Sequence, residues 1–233
     1  MRIYLLLLIF IMACSDQGGN DPGEISRLDE VAMENIFLDY RIHAEEGDDN
    51  LNILIQFRES DPDGRTLLVG DAGKVMLDEE ELQADSTERM GAYYEIQKPI
   101  ASFTGEHVLL LEGPGGKRFE ERFRFTSMTL ESGPGDTVFR NEELVLQLAG
   151  LEKKDYVRIV MTDTSFINDG INRLDTVYNG RLVLPRLELE QLAAGPVHLE
   201  LYRENERPTM NKTVAGGRFS LTYVLKRDFI LSD

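Results

Sequence analysis

Apolar and polar residues alternate along several stretches of this 233-residue chain. In Ile36–Ile42 every second residue is apolar, and the same pattern returns in Leu51–Phe57. Successive side chains of a β-strand point to opposite faces of a sheet, so this period predicts strands with one buried face. Turn-forming residues bound the two stretches, with the cluster Glu45–Asn50 between them. This pattern predicts β-strands from Ile36 onward.

Further short strands are expected downstream, separated by turns. The segment Asp61–Gly64 reads DPDG, with proline and glycine at positions that a β-turn favours. Strands are predicted around Thr66–Val69, Lys74–Leu77 and Ala92–Gln97, and the last of these ends before a proline. The acidic stretch Asp78–Thr87 is predicted to be a loop.

A segment of the first half recurs in the second. Gly105–Glu112 resembles Gly195–Tyr202, and each is a strand that begins at glycine. Each is followed by a final alternating strand, at Phe119–Phe125 and at Phe219–Leu225. The second copy is longer, and the extra residues fall in Glu204–Gly217, which is predicted to be a long loop. The recurrence predicts two tandem domains, residues 25–128 and 129–233.

About seven short strands per repeat, frequent turn signals and no sustained helical period predict an antiparallel β-sandwich. Over residues 30–233 this arrangement resembles the immunoglobulin-like or fibronectin type III-like domains of bacterial surface proteins. The resemblance implies an all-β fold of two tandem antiparallel immunoglobulin-like β-sandwich domains. The Cys…Trp…Cys core of antibody domains is absent, because the sequence has no tryptophan and a single cysteine.

The N-terminus has the layout of a secretory signal. Arg2 precedes an apolar run from Ile3 to Ala13, which is too short to span a bilayer. The run ends in Ile11-Met12-Ala13-Cys14, which resembles a bacterial lipobox. That resemblance implies removal of residues 1–13 and attachment of lipid, palmitate among the acyl chains, to Cys14. The alternative is an ordinary cleaved signal that leaves a free cysteine.

Residues 14–24 are predicted to form a short, flexible tether after the lipid, since this stretch is rich in Gly, Asp and Asn. Ser15 directly after Cys14 resembles the outer-membrane pattern of lipoprotein sorting. We therefore expect a lipid-anchored protein of the bacterial envelope, in the outer membrane. The sequence does not distinguish the periplasmic face of that membrane from the surface face.

Composition excludes one broad class of partner. The chain has 42 acidic and 25 basic residues, a formal net charge of −17 at pH 7. A charge of this sign repels phosphate backbones, so nucleic-acid binding is not expected. The acids are dispersed, which favours a role in solubility, with calcium or a basic partner as alternatives.

Motifs for catalysis or metal binding do not stand out. The sequence has no nucleophile elbow, phosphate-binding glycine loop or zinc-protease helix. His43, His107 and His198 have no local metal-ligand spacing, and the DPDG segment lacks the further acids of a calcium loop. We therefore expect no catalytic residue, no metal site and no cofactor.

Two functional hypotheses remain. The first is a non-enzymatic interaction or envelope-assembly module that binds a protein partner through loops or an exposed strand edge. Its candidate surfaces are the loops Thr162–Asp175 and Glu204–Gly217, and its candidate partner-binding residues are Asp163, Asn168, Asp169, Asp175, Arg207 and Asn211. The second is a glycan-binding subunit or polysaccharide-processing protein, which an exposed aromatic row or two close carboxylates would favour.

Overall fold

The computed structural model describes residues 25–71, 73–165 and 169–233, and the secondary structure of these residues is almost entirely β. The strands of the first predicted domain are β1 Ile25–Arg27, β2 Ile36–Glu45, β3 Asn50–Glu59, β4 Thr66–Leu68, β5 Lys74–Leu77, β6 Glu80–Leu82, β7 Ala84–Thr87, β8 Gly91–Pro99, β9 Gly105–Glu112 and β10 Arg118–Phe125. Four single 3₁₀ turns connect them, at Leu28–Glu30, Met33–Asn35, Ile100–Ser102 and Pro114–Gly116.

The strands of the second predicted domain are β11 Thr129–Ser132, β12 Thr137–Phe139, β13 Leu144–Ala149, β14 Lys154–Asp163, β15 Ile171–Tyr178, β16 Arg181–Leu184, β17 Gly195–Pro208 and β18 Gly217–Ser232. One helical turn, α1 Arg186–Leu189, lies between β16 and β17. Most strand pairs are antiparallel, and the exceptions among the described residues are β1 with β4, β12 with β18, and β18 with β2. The predicted all-β, antiparallel class is confirmed.

The strand pairings form two sheets. The larger follows the path β1-β4-β3-β2-β18-β17-β14-β15-β16-β13-β11, with β8 paired to β3, β7 to β8 and β12 to β18. The smaller has the order β10-β9-β5-β6. Its inward phenylalanines meet the larger sheet, since the ring centroids of Phe123 and Phe219 are 5.4 Å apart and those of Phe125 and Tyr223 are 6.2 Å apart. Aromatic contacts therefore join the two layers.

The residues that alternate in the sequence as apolar are buried in the structure, as the strand pattern predicted. Ile36, Leu38, Tyr40 and Ile42 of β2 are buried, and so are the alternate residues Leu51 to Phe57 of β3. The final strands behave in the same way, with Phe219, Leu221, Tyr223 and Leu225 buried. All of these residues belong to a single hydrophobic cluster that also includes most buried apolar residues of the second predicted domain.

The last two strands are unusually long and connect the two halves of the chain. β17 has 14 residues and β18 has 16, so each extends for roughly 45–55 Å at about 3.3 Å per residue. One edge of β18 pairs with β17 over Arg218–Leu231. On the other edge its first half, Gly217–Val224, runs parallel to β2, and its last residues, Ile230–Ser232, run parallel to β12. The end of this hairpin therefore adds strands to the sheet of the first predicted domain. The domain boundary near Thr129 stays a prediction.

Three loop predictions are wrong in whole or in part. The predicted loop Thr162–Asp175 is shorter than expected, because β14 continues to Asp163 and β15 begins at Ile171. The acidic stretch Asp78–Thr87 contains strands β6 and β7. Asp78 and Glu79 both have positive φ, 47° and 72°, and form the two-residue turn of a hairpin in which Leu77 pairs with Glu80. The predicted loop Glu204–Gly217 is shorter than expected, because β17 continues to Pro208 and β18 begins at Gly217. Charged residues obscured the strand pattern in these stretches, because a strand at a sheet edge can carry charged side chains.

Candidate interaction surfaces

The first candidate surface is a cleft beside the end of β17. β17 pairs with β18 along its full length, but its pairing with β14 covers only Val197–Tyr202. No strand of the described residues pairs with the other edge of β17 over Arg203–Pro208. A cleft of about 500 Å³ lies beside this edge, lined by Glu106, Arg122, Phe123, Arg124, Thr126, Glu152, Asp155, Tyr156, Arg203, Glu204, Asn205, Glu206, Arg207, Phe219 and Leu221. Both predicted domains contribute to its walls.

Two arginines of β17 fix the cleft walls. Arg203 forms an ion pair with Asp155 at 3.0 Å and donates a hydrogen bond to the backbone oxygen of Gly150 at 3.0 Å. Arg207 lies 2.6 Å from the carboxylate of the buried Glu121, in an ion pair that is not a directed hydrogen bond. Its guanidinium also sits 4.4 Å from the ring centroid of Phe219 and donates to the backbone oxygen of Arg122 at 3.0 Å. The open edge is thus held between β14 and β10.

The β10 wall of the cleft carries exposed arginines, whose positive charge is opposite in sign to the net charge of the chain. The side chains of Arg122 and Arg124 are 62% and 68% exposed. Each has one exposed acidic neighbour, Glu120 at 2.8 Å and Glu106 at 3.5 Å. Exposed ion pairs of this kind contribute little to stability, so both guanidiniums are free to change partner.

Arg207 and Asn211, two of the predicted partner-binding residues, contact the first predicted domain. The Asn211 side-chain amide donates to the backbone oxygen of Glu120, and the backbone N–H of Met210 donates to Glu121 at 2.7 Å. The loop of residues 209–216 therefore packs against β10. Its exposed apolar residues are Met210 and Val214.

The residues predicted on the loop Thr162–Asp175 have separate surroundings. Asp163 is buried and accepts hydrogen bonds from Ser165 and from the backbone N–H of Ala193, the latter at 2.8 Å. Asp175 accepts from Arg173 at 2.5 Å, while Asp169 is exposed. Asn168 lies outside the described residues. Within those residues, no group of three His, Cys, Asp or Glu side chains could hold a metal ion.

Two histidines have local partners. The ring of His107 is stacked on Phe103 with centroids 3.7 Å apart, and its Nδ1 lies 2.6 Å from Asp78. His198 contacts Asp228 at 2.7 Å and Glu200 at 3.4 Å. The hydrogen bond to Asp228 raises the pKa of His198 above its usual value, against a smaller opposing effect of burial.

A second candidate surface was missed in the sequence. Tyr156, Leu174 and Tyr178 lie on the outer face of the β14–β15 hairpin and are 47%, 57% and 57% exposed. We call this set the tyrosine face. The Lys154 ammonium lies 5.6 Å and 5.9 Å from the two tyrosine ring centroids. The sequence could have indicated this face, because Tyr156 directly precedes the alternating buried residues Val157 and Ile159. Its side chain therefore points to the opposite side of β14.

The predicted anchor, Cys14, also lies outside the described residues. In the part of the chain that the structure describes, no helix is both long enough and apolar enough to cross a membrane.

Comparison with known proteins identifies no family. No family model matches the chain, and no curated protein matches it. Among solved structures, the two-domain DIP-gamma IG1+IG2 is 14% identical with a TM-score of 0.24, over 84% of this chain and 95% of that one. The adhesin InvE of Yersinia pseudotuberculosis is 12% identical with a TM-score of 0.25, over 83% of this chain and 60% of that one.

A third match is the structure of Dpr11 IG1 bound to DIP-gamma IG+IG2, with 13% identity and a TM-score of 0.24 over 81% of this chain and 94% of that one. These similarities are too loose to support a conclusion about function. The functional argument therefore depends on the surfaces of this chain.

Proposed function

We propose that this chain is a non-enzymatic interaction protein, lipid-anchored through Cys14 in the bacterial cell envelope, which binds an extended segment of a partner protein along the open edge of β17. The observation that carries the proposal is the unpaired edge of Arg203–Pro208 inside a cleft with fixed walls. An open strand edge presents backbone donors and acceptors that an added strand can pair with.

The cleft suits one added strand. Six residues of β17 span roughly 20 Å at about 3.3 Å per residue, enough for a partner strand of equal length. Side chains of such a strand would alternate between the β10 wall and the side of Tyr156. Because Arg122 and Arg124 are exposed on the β10 wall, acidic side chains at alternate positions of the partner would gain charge-assisted hydrogen bonds there.

Position-specific cross-linking in native membranes tests this proposal. A photoreactive residue in place of Asn205, which is exposed on the open edge, should give one protein adduct. The matched control places the same residue at Glu88, which is exposed in the turn between β7 and β8 and does not line the cleft. The Asn205 adduct should decrease strongly in a chain carrying Arg122→Glu and Arg124→Glu. Identical adducts from both positions, or an adduct insensitive to the arginine changes, would contradict the proposal.

The anchor has its own test. Replacing Cys14 with Ser removes the thiol to which the lipid would be attached, so we expect loss of acyl labelling and an uncleaved or soluble product. Two or more acyl chains form a stable anchor at about 0.8 kcal/mol per buried methylene. Normal processing and unchanged membrane partitioning of the variant would exclude lipidation at Cys14.

A glycan-binding role is the second candidate, and the tyrosine face is the observation that favours it. Two exposed tyrosines on neighbouring strands offer a flat apolar surface with hydroxyl groups at its rim. The sequence has no tryptophan, so tyrosine fluorescence reports directly on binding. Envelope polysaccharide should change this fluorescence in the native chain, with a loss in Tyr178→Ala and retention in Tyr202→Phe. Equal responses of both variants would exclude this surface.

A further inference from the structure

Three arginines converge on the outer face of the sheet where β3, β2 and β18 lie side by side. Arg58 is on β3, Arg41 on β2 and Arg218 on β18, and we call them the arginine cluster. Asp39 lies between them, directly opposite Gln56 of β3 and Arg218 of β18. On this face Arg58 of β3 lies diagonally from Asp39, and Arg41 lies two residues further along β2.

Asp39 orients two of the three guanidiniums. Its side chain is 2% exposed. Arg218 donates two hydrogen bonds to the carboxylate, at 2.9 and 3.3 Å, and Arg41 donates through Nε at 3.0 Å. Burial opposes ionisation of Asp39, but the hydrogen bonds from Arg41 and Arg218 outweigh it and hold the pKa below its usual value. The carboxylate is therefore ionised, and both of its oxygens accept hydrogen bonds within the cluster.

Among the described residues, Arg58 forms no ion pair with a carboxylate. It donates to the backbone oxygen of Gly64 at 3.0 Å and to the side-chain oxygen of Gln56 at 3.2 Å. Burial lowers the pKa of Arg58, and the positive charge of Arg41 lowers it further. Asp63 and Glu206 are exposed near the rim, and neither forms an ion pair with the three arginines among the described residues.

The cluster thus holds three guanidiniums around one buried carboxylate, with the exposed Asp63 and Glu206 at longer range beside Arg58 and Arg218. In a chain with 42 acidic and 25 basic residues, such an excess of positive charge does not serve solubility. A guanidinium has five N–H donors in a planar fork, and Arg58 uses two of its groups on neutral oxygens. Arg41 and Arg218 are 41% and 39% exposed, so their remaining donors reach solvent.

We propose that Arg41, Arg58 and Arg218 form a binding site for a phosphate-type oxyanion. A phosphate monoester carries about −1.5 to −2 charges at neutral pH, which matches the two unbalanced guanidinium charges, and a single carboxylate does not. Guanidinium forks pair with phosphate oxygens through two parallel hydrogen bonds. The ligand is therefore inorganic phosphate or a phosphate monoester, since the phosphodiester of a phospholipid headgroup carries a single negative charge. None of the three arginines lines the cleft at β17.

Calorimetric titration of the purified, full-length processed chain in a non-ionic detergent tests the site. The probes are inorganic phosphate, glycerol 3-phosphate and the diester glycerophosphoglycerol, each against sodium chloride at equal ionic strength. We expect saturable binding of phosphate probes. Inorganic phosphate and glycerol 3-phosphate should bind more tightly than the diester, and preference for the diester would overturn the charge match.

Variants distinguish the site from general charge attraction. Arg58→Gln should weaken binding by at least about tenfold, because hydrogen bonds between charged groups are stronger than neutral ones. Arg41→Gln should act in the same direction, and it gives an independent result if loss of the Gly64 contact unfolds the first variant. The matched control is Arg118→Gln, an exposed arginine of β10 that belongs neither to the cluster nor to the cleft lining. No binding of any probe, or equal losses in the control and in Arg41→Gln, would overturn the proposal.

Discussion

Two strand edges of the larger sheet differ, the edge of β15 that faces β16 and the edge of β17 that faces the cleft. At β15, Arg173 forms ion pairs with Asp175 at 2.5 Å and with Glu188 of α1 at 2.9 Å, and it donates to the backbone oxygen of Val183 on β16. One side chain thus spans to the neighbouring strand, although β15 and β16 share only one backbone pair, Tyr178 with Arg181. Charged side chains at a strand edge are a common defence against unwanted pairing.

At β17 the arginines do the opposite. Arg203 and Arg207 turn toward β14 and β10, and in the part of the chain that the structure describes no strand pairs with this edge of Arg203–Pro208. The same residue type therefore closes one edge and keeps the other accessible. The difference follows from the direction of the side chain and from the position of its acidic partner.

The largest expected effect comes from the packing that holds the hairpin of β17 and β18 in place. Phe219→Ala removes a ring that is 1% exposed and lies against Phe123 and Arg207. Deletion of a buried phenylalanine costs about 3–5 kcal/mol, so the free energy of unfolding in urea should fall by about that amount. Phe139→Ala, at a ring that is 49% exposed, should change it by less than about 1 kcal/mol. Equal losses would show that the β18 end of the hairpin is not docked.

A smaller loss is expected when one wall of the cleft is released. Arg207→Met leaves Glu121 buried beside Phe219 without its cation, which should lower the free energy of unfolding by about 3 kcal/mol. Arg124→Met is the control on the same wall, where the exposed pair with Glu106 contributes at most about 1 kcal/mol. Denaturant titration of both variants measures the contrast. A negligible effect of Arg207→Met would show that its pair with Glu121 does not stabilise the cleft wall.

Opening the β15 edge should convert it into a second site of association. Arg173→Met removes the links to Asp175, Glu188 and Val183, and we expect about 1–2 kcal/mol lower stability together with concentration-dependent association. Light scattering at rising protein concentration measures the association. Arg158→Met on the adjacent strand, which removes only the exposed pair with Glu204, should stay unassociated. If both variants associate equally, edge protection by Arg173 is disproved.

The smallest effect is a pH dependence at His198, on the same β17 strand beyond the cleft. Its pKa is raised in the folded chain, chiefly by the hydrogen bond to Asp228. The stabilisation is therefore present below the unfolded pKa of His and is lost as pH rises through the folded value. Stability measured between pH 5 and pH 8 should fall slightly across that range, and Asp228→Asn should flatten the slope. The exposed position of both groups keeps the change small.

Local pattern determined a large share of this fold. The alternation in β2, β3, β9, β10 and β18 is visible residue by residue, because a strand with one buried face needs an apolar side chain at every second position. The all-β class and the burial of Phe219 to Leu225 followed directly. The signal and lipid site at Cys14 were likewise local in the sequence, and they stay predictions.

Only the tertiary structure decided where the strands meet. The parallel pairing of Gly217–Val224 with Leu38–Glu45 joins residues about 180 positions apart, and no local pattern records such a pairing. The end of β17 reads as loop, since its polar residues Arg203, Asn205 and Arg207 face a cleft that exists only after the two halves dock. The arginine cluster has the same origin, because β3, β2 and β18 bring together three guanidiniums that the sequence keeps far apart, around one buried carboxylate.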